Sequence, residues 1–501
     1  MLVRRFPIAF VLCVQACLLF CALDLLPVWT DELFTLKTVA HPVREILPIV
    51  QRDIHPPLYF ILLRAWAGLP LPWKGIAALR AFSAAWALLA TLLLEIFWTR
   101  EWQPLEHWVC LSLFAFSPCL LLYGRMARSY TMQVALVLLA LGLLRQWMRD
   151  PRSWLAAGGS AAAILCLLYT HYLPGVALLA GFALIGWRSV GEAGAGVFLL
   201  AITAGYFPWI LALSEAVHRW REASNFSSSY SLTGNAALEQ IVKIGFGMVS
   251  LTIGESFLAI SLLLVPVMLS LAILGARKAV VSPRLTMTLG VATVVGYLGV
   301  ARWVSYPFIP ARLLWLLPFL SLTVTLGLLH LRRPVVQRAI IVAIALSYIS
   351  STVLYFRREN YLNLGYAAPL PEIAATLNRE ARPNDVILVD SFNTDFQALA
   401  SYLSGRTPMI ALDRDTEDRA RQAARKAGTV WIVRNARDIS PKALTLELKS
   451  EACAGRPAQQ TLLEPYAPWQ KAAMRIAGFQ PPPTHFYEVT ACGPEALEIG
   501  K

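Results

Sequence analysis

FPIAFVLCVQACLLFCALDLL, residues 6–26, runs directly into PVWTDELFT, residues 27–35. The first stretch is about as long as the roughly 20 apolar residues a helix needs to cross a bilayer. The second opens a polar loop with two adjacent carboxylates, Asp31 and Glu32. Arg4 and Arg5 give the block the basic start of a signal peptide, but its apolar run is too long and no A-x-A cleavage site follows. It reads as a retained anchor. Similar blocks recur along the chain, giving about eleven expected spans: 6–26, 76–98, 107–123, 130–148, 154–170, 172–187, 195–213, 254–275, 285–303, 312–329 and 338–356. The block at 241–253 is short and Gly-rich and reads as an interfacial piece.

Composition agrees with this pattern. Of 501 residues, 57% are hydrophobic and 15% charged, with a mean hydropathy of +0.56. An ordinary globular chain has about 45–50% and about 25%. A soluble enzyme, a disordered chain, a coiled coil and a disulfide-knotted module are excluded. Residues 357–501 hold 18 Lys+Arg against 17 Asp+Glu, so the net charge of +13 lies almost wholly in residues 1–356. There the basic residues punctuate hydrophobic blocks, the mark of topology and lipid headgroups. They do not gather with aromatics on one soluble face, so nucleic acid is not an expected partner.

Short-loop Lys and Arg set the orientation. With the N-terminus in the cytoplasm, that side receives Arg100, Arg145, Arg149, Arg152, Arg188, Arg277, Lys278, Arg284, Arg332, Arg333 and Arg338. The opposite side receives the loop 27–75, the turns near 124–129 and 171, the loop 214–253, the turn 304–311 and the C-terminal end. The expected architecture is a polytopic α-helical membrane domain, residues 1–356, in a bacterial-type plasma (inner) membrane. A small extracytoplasmic α/β domain follows at 357–501. In that domain Thr484–Ala491 is a late strand candidate, while Asp385–Asp390, Pro408–Asp413 and Thr429–Arg434 are buried-strand patterns, and helical patterns near 394–404 and 415–427 alternate with these three. This predicts a parallel sheet with crossover helices. No Gly-rich phosphate fingerprint follows a strand, so no nucleotide site is expected there.

Six of the eight cysteines lie within spans. Cys13, Cys17 and Cys21 share one helix face, which reads as small-residue packing. Cys453 and Cys492 fall in the extracytoplasmic domain, where an oxidising compartment permits a disulfide.

Two elements of the loop 27–75 carry candidate chemistry. In Trp29-Thr30-Asp31-Glu32, the plain alternative is a solvated helix start with Thr30 as N-cap and the acids favouring the helix dipole. In Arg52-Asp53-Ile54-His55-Pro56-Pro57-Leu58-Tyr59, the double proline fixes Asp53 and His55 at the membrane surface, or makes only a rigid turn. Later come Tyr123-Gly-Arg125-Met-Ala-Arg128-Ser-Tyr130, Tyr169-Thr170-His171-Tyr172 and Pro310-Ala-Arg312. For each arginine the alternative is snorkelling to headgroups. For His171 it is a structural interfacial histidine.

An acidic pair after the first span, followed by D-x-H-P-P-L-Y, resembles the GT-C superfamily of membrane glycosyltransferases. The branch it looks like contains protein O-mannosyltransferases, lipid A aminoarabinose transferases and Rgt-type sugar transferases. Arg128-Ser-Tyr130 matches the Arg-x-Tyr element of that branch, and Pro310-Ala-Arg312 resembles its late Arg-led span. His55 stands where aminoarabinose transferases have a Lys, which leaves the donor open. The resemblance implies an inverting enzyme that takes a sugar from a polyprenyl-phosphate donor. The acceptor is a hydroxyl on a lipid, glycan or protein.

A hydroxyl is a poor nucleophile and needs a base, for which Asp31 is the candidate and Glu32 its companion. The leaving lipid phosphate needs positive charge, for which Arg125, Arg128 and Arg312 are candidates, with Asp53, His55, Tyr130 and His171 lining the same place. A divalent cation near Asp31 and Glu32 is allowed, although no ligand spacing demands one. The rivals are a multispan transporter, a membrane scaffold or sensor, and a polysaccharide ligase or polymerase. A transporter would place ionisable residues at mid-depth and show repeats or broken helices, whereas here the polar residues gather at one face.

Overall fold

The computed structural model describes residues 2–53, 55–222, 236–278, 290–296, 310–390, 398–412, 416–435, 449, 451, 453, 454, 458–463, 472 and 487–493. They form two compact units: Met1–Asp24 with Phe34–Tyr355, and Leu25–Leu33 with Phe356–Lys501. The second unit takes in a short piece of the first loop that the sequence assigns to the membrane domain.

Unit 1 is helical, because in hydrocarbon each backbone N–H and C=O must find its partner within the segment. Its helices are α1 (Leu2–Phe20), α2 (Thr30–Ala40, whose first turn belongs to unit 2), α3 (Val43–Arg52), α4 (Leu58–Ala67), α5 (Gly75–Leu94), α6 (Pro104–Ala115), α7 (Pro118–Gly124) and α8 (Tyr130–Arg149). They continue with α9 (Trp154–Leu168), α10 (Tyr172–Leu184), α11 (Glu192–Glu222), α12 (Ala236–Ile253), α13 (Leu264–Lys278), α14 (Leu317–Leu329) and α15 (Pro334–Arg357). Among the described residues six helices are long and apolar enough to cross a membrane, or seven if α6 and α7, bent by 46°, count as one.

The bend falls at Pro118, where the missing N–H interrupts the ladder. The expected spans 6–26, 154–170 and 172–187 correspond to shorter apolar helices, and 285–303 lies mostly outside the described residues. This is an integral membrane protein. Its outer faces say so as well: only 17% of the span in α11 is buried, and Leu155, Leu200, Leu263 and Val335 are exposed. So much apolar surface suits lipid and not water.

Inside, close packing rests on small residues. A Cβ added to Gly327 would lie 2.0 Å from the Leu271 carbonyl oxygen, and one on Gly275 would lie 1.8 Å from that of Thr323. The backbones of α13 and α14 therefore touch.

Unit 2 contains α16 (Leu370–Glu380), α17 (Glu417–Lys426) and a five-stranded sheet of order β2-β1-β3-β5-β4. The strands are β1 (Val386–Asp390), β2 (Met409–Leu412), β3 (Val430–Asn435), β4 (Ala458–Leu463) and β5 (Tyr487–Cys492). β2, β1 and β3 run parallel, as the alternation of strands and helices predicts. β5, expected as a strand without a direction, pairs antiparallel with β3 and with β4, a strand the sequence reading did not include. Of the helical pattern expected near 394–404, residues 394–397 lie outside the described residues, 398 and 399 are helical, and the chain then turns.

Val386, Leu388, Ile410, Leu412, Val430 and Ile432 meet Ala420 and Ala424 of α17 in the core. Buried Asp385 is fully used: it accepts from Thr429 N at 2.9 Å, Arg382 N at 2.8 Å and Trp431 Nε1 at 3.2 Å. Cys453 and Cys492 are joined in a disulfide, with Cα atoms 5.0 Å apart.

Candidate active site

Within unit 1 the first loop is fastened at several points. α3 buries Ile46 and Val50 and ends at Asp53, whose N–H bonds Ile49 O at 3.3 Å. His55 N–H reaches back to Val50 O at 2.8 Å. Pro56 and Pro57 then enter α4 without N–H groups that would need partners. The first N–H after them, that of Leu58, bonds Tyr169 O at 2.9 Å in the turn between α9 and α10. Gln51 Nε2 donates to Ala212 O of α11 at 2.6 Å. The loop is thus tied to two other helices of the bundle.

These ties set Asp53 and His55 against Arg128. His55 Nδ1 lies 2.9 Å from Asp53 Oδ2, and its Nε2 lies 3.2 Å from Arg128 Nη2. A guanidinium can only donate, so Nε2 accepts, the imidazole proton sits on Nδ1, and Nδ1–H donates to Asp53. Arg128 Nη1 donates to Thr35 Oγ1 at 3.3 Å. The Phe34 and Phe60 rings pack on the imidazole at 5.3 and 6.1 Å. Arg128's backbone is also held, since Ser83 Oγ donates to its carbonyl at 3.0 Å and lies 3.3 Å from Tyr59 Oη.

His171 and Arg312 complete the cluster. Extended at φ −163°, His171 caps α10 by accepting Leu173 N–H on Nδ1 at 3.3 Å. Burial pushes its pKa down to about 3, helped by the positive charges of Arg312 and Arg128. His171 is therefore neutral, and with Nδ1 accepting, its proton is on Nε2. The two guanidinium groups and the His171 Nε2–H supply donors suited to an anion, while the His55 ring, held by Asp53, is engaged in supporting Arg128.

No protein-family model and no curated protein sequence matches the chain. Solved structures do match in fold. ArnT from Cupriavidus metallidurans bound to undecaprenyl phosphate aligns with a TM-score of 0.51 at 11% identity, covering 98% of each chain. The Archaeoglobus fulgidus oligosaccharyltransferase in complex with Zn and sulfate aligns with a TM-score of 0.52 at 10% identity, over 97% of this chain and 88% of that one. AglB from the same organism, in complex with an inhibitory peptide and a dolichol-phosphate, gives 0.50 at 11% identity, over 90% and 71%. The chain has the GT-C fold.

On this GT-C bundle the other sequence candidates are placed differently. Arg125 stays apart from the cluster: it is buried and donates to Leu18 O at 2.7 Å, Leu19 O at 3.2 Å and Ala22 O, and through Nε to Tyr355 Oη at 2.9 Å. It satisfies the carbonyls at the end of α1, the usual need of a helix C-terminus. Tyr130 is buried at the start of α8, edge-on to Tyr123 at 5.8 Å. Asp31, half-buried, and Glu32, buried, lie in the first turn of α2 and belong to unit 2, so the cluster consists of unit 1 side chains. Among the described residues no three His, Cys, Asp or Glu side chains gather as a metal-binding group.

Two features escaped the sequence reading. Thr35, which receives Arg128, carries the signal of standing one helical turn after Asp31. Glu255 is a fully buried carboxylate whose Oε1 accepts from Tyr123 Oη and from Ser250 Oγ, the latter at 2.9 Å. Its signal is the polar Gly254-Glu255-Ser256 between apolar blocks. Unit 1 also holds an apolar groove of about 570 Å³, lined by Val14 and Leu18 of α1, Trp108 and Phe116 of the α6 segment, Leu328 of α14, and Ile344 and Tyr348 of α15. Its size and lining suit a hydrocarbon chain.

Proposed function

We propose that the protein is an inverting glycosyltransferase that moves a sugar from a polyprenyl-phosphate carrier to an acceptor hydroxyl at the extracytoplasmic face. In this reading the N-terminus is cytoplasmic, residues 1–356 form the catalytic membrane domain and 357–501 lie outside. Asp31 takes the proton of the acceptor hydroxyl as its oxygen attacks the anomeric carbon. The bond from that carbon to the phosphate oxygen breaks, and polyprenyl phosphate leaves with the electron pair. Arg128 and Arg312 stabilise the negative charge that develops on the phosphate, and His171 Nε2–H adds a neutral donor. Asp53 and His55 orient Arg128. Glu32 stands beside the base.

The observation that carries the proposal is Arg128 held against His55 and Thr35 in a bundle of GT-C fold, with Arg128 and Arg312 both within electrostatic reach of His171. Two proteins of similar fold hold undecaprenyl phosphate and a dolichol-phosphate, which supports a lipid phosphate as the anion.

The test is binding to the purified full chain in nanodiscs. Undecaprenyl phosphate should bind, and undecaprenol, which lacks the anion, should not. Arg128→Ala and Arg312→Ala should each weaken binding about tenfold or more, which is about 1.4 kcal/mol. Arg125→Ala should instead lower the yield of folded protein, because it leaves the carbonyls at the end of α1 without their donor. Equal binding of the alcohol and the phosphate would contradict the donor reading.

A further inference from the structure

We infer that the C-terminal domain is a working part of the transferase: it grips the segment Leu25–Leu33 and so positions the carboxylates of Asp31 and Glu32. The inference rests on the reading of Asp31 as the base. The segment and residues 356–501 make one compact unit, although more than 300 residues of chain separate them.

Two contacts make the grip. Val28 N–H donates to Tyr402 Oη at 2.7 Å, and the Trp29 ring meets the Tyr366 ring edge-on, with centroids 5.6 Å apart and planes at 90°. Neither tyrosine is on a loose arm. Tyr366 is buried in a 3-10 turn, Leu364–Ala367, that Asn363 caps by accepting Gly365 N–H at 3.1 Å. The loop bearing Tyr402 is pinned to α16 by Asn378, whose Nδ2 donates to Tyr402 O at 3.0 Å and whose Oδ1 accepts from Ser404 N at 2.8 Å. α16 itself is anchored by buried Leu370, Ile373 and Leu377.

The grip acts where the acidic pair is placed. Trp29 O accepts Leu33 N–H at 2.9 Å, the first bond of α2. The residue held by Tyr366 is therefore the one from which the helix starts, and Asp31 and Glu32 fill its first turn. Leu26, Val28 and Leu33 of the same segment are buried, as is Glu32. A base must come within hydrogen-bond reach of its hydroxyl, and a misplacement of about 1 Å can cost on the order of 100-fold in rate. A segment clamped at two consecutive residues just before the base meets that demand. Trp29 Nε1 finds no acceptor among the described residues, so the clamp works through the ring and not the indole N–H.

The experiment uses the full chain in nanodiscs with a polyprenyl-phosphate sugar donor and compares wild type, Asp31→Asn, Trp29→Ala, Trp29→Phe, Tyr366→Ala and Tyr402→Phe. Trp29→Ala and Tyr366→Ala should each lower kcat by about tenfold or more, and the double variant should lose no more than the worse single one, as expected for two halves of one contact. Donor KM should stay within about twofold, because a positioning defect touches the chemical step and not donor binding. Trp29→Phe should restore most of the rate, and Tyr402→Phe should lose part of it.

Wild-type rates for Trp29→Ala and Tyr402→Phe beside an inactive Asp31→Asn would overturn this inference alone. An active Asp31→Asn would overturn it together with the reading of the base. Loss of the Cys453–Cys492 disulfide and of membrane abundance in every variant, Trp29→Phe included, would also overturn it, since the contacts would then serve folding only.

Discussion

At the scale of single residues, the chain separates two arginines that look alike on paper. Arg125 and Arg128 stand three apart in one short segment, yet one is taken up by backbone carbonyls and the other faces an imidazole. What divides them is the end of α1, about a hundred residues earlier, and no local pattern announces it. Asp53 and His55 were easier to read, because the prolines that follow them fix the chain where it leaves α3. Thr35 was not legible as a site residue, since a threonine in a helix is ordinary until an arginine is seen to reach it.

His171 allows a prediction with a definite sign. Its folded pKa is held near 3, against an ordinary value of about 6.5. Between those values the unfolded chain binds a proton that the folded chain refuses, so folding is favoured above about pH 6.5 and loses stability as pH falls through the window. Thermal unfolding in nanodiscs should therefore show a lower Tm at pH 5 than at pH 7, and His171→Gln should flatten that difference. A His171→Gln profile with the wild-type slope would remove the histidine from the argument.

At the scale of elements, apolar length was the most readable property, and the breaks within it the least. Residues 107–123 read as one span, and Pro118 bends them into α6 and α7. The apolar helices α9 and α10 end earlier than the blocks read for them, because composition reports apolarity better than it reports where a helix stops. Strand β4, AQQTLL, carries too little alternation to be seen, and so the antiparallel half of the sheet was missed.

The close crossing of α13 and α14 was also invisible, because a glycine in an apolar block gives no hint of its neighbour. Its consequence is testable. Gly327→Leu would drive a side chain into the Leu271 backbone, where nothing flexible can yield. Overpacking of this kind costs about 1–3 kcal/mol or more. Folded yield after detergent extraction should drop sharply, whereas Gly158→Leu, with nothing within 4 Å of its Cβ position, should extract like wild type.

At the scale of the whole molecule, the Lys and Arg asymmetry and the compartment needed for the disulfide point the same way. A reporter active only outside the cytoplasm should work when fused at Lys501 and fail when fused after Arg333. The reverse pattern would place the C-terminal domain in the cytoplasm and dismantle the extracytoplasmic reading. The strand patterns after residue 384 are legible in the sequence, but the membership of Leu25–Leu33 in the same compact unit is not. That partnership spans most of the chain and becomes visible only when the fold closes it.

The central claim is that this chain discharges a polyprenyl-phosphate sugar through Asp31, and cells lacking the protein offer the most direct measurement. Mass spectrometry of their lipid extracts should show a polyprenyl-phosphate sugar accumulating. The wild-type chain should clear it, while Asp31→Asn, made at normal abundance, should clear it about 100-fold more slowly or worse, the scale of losing a general base. Lipid extracts unchanged by deletion, or clearance by Asp31→Asn at the wild-type rate, would contradict the account.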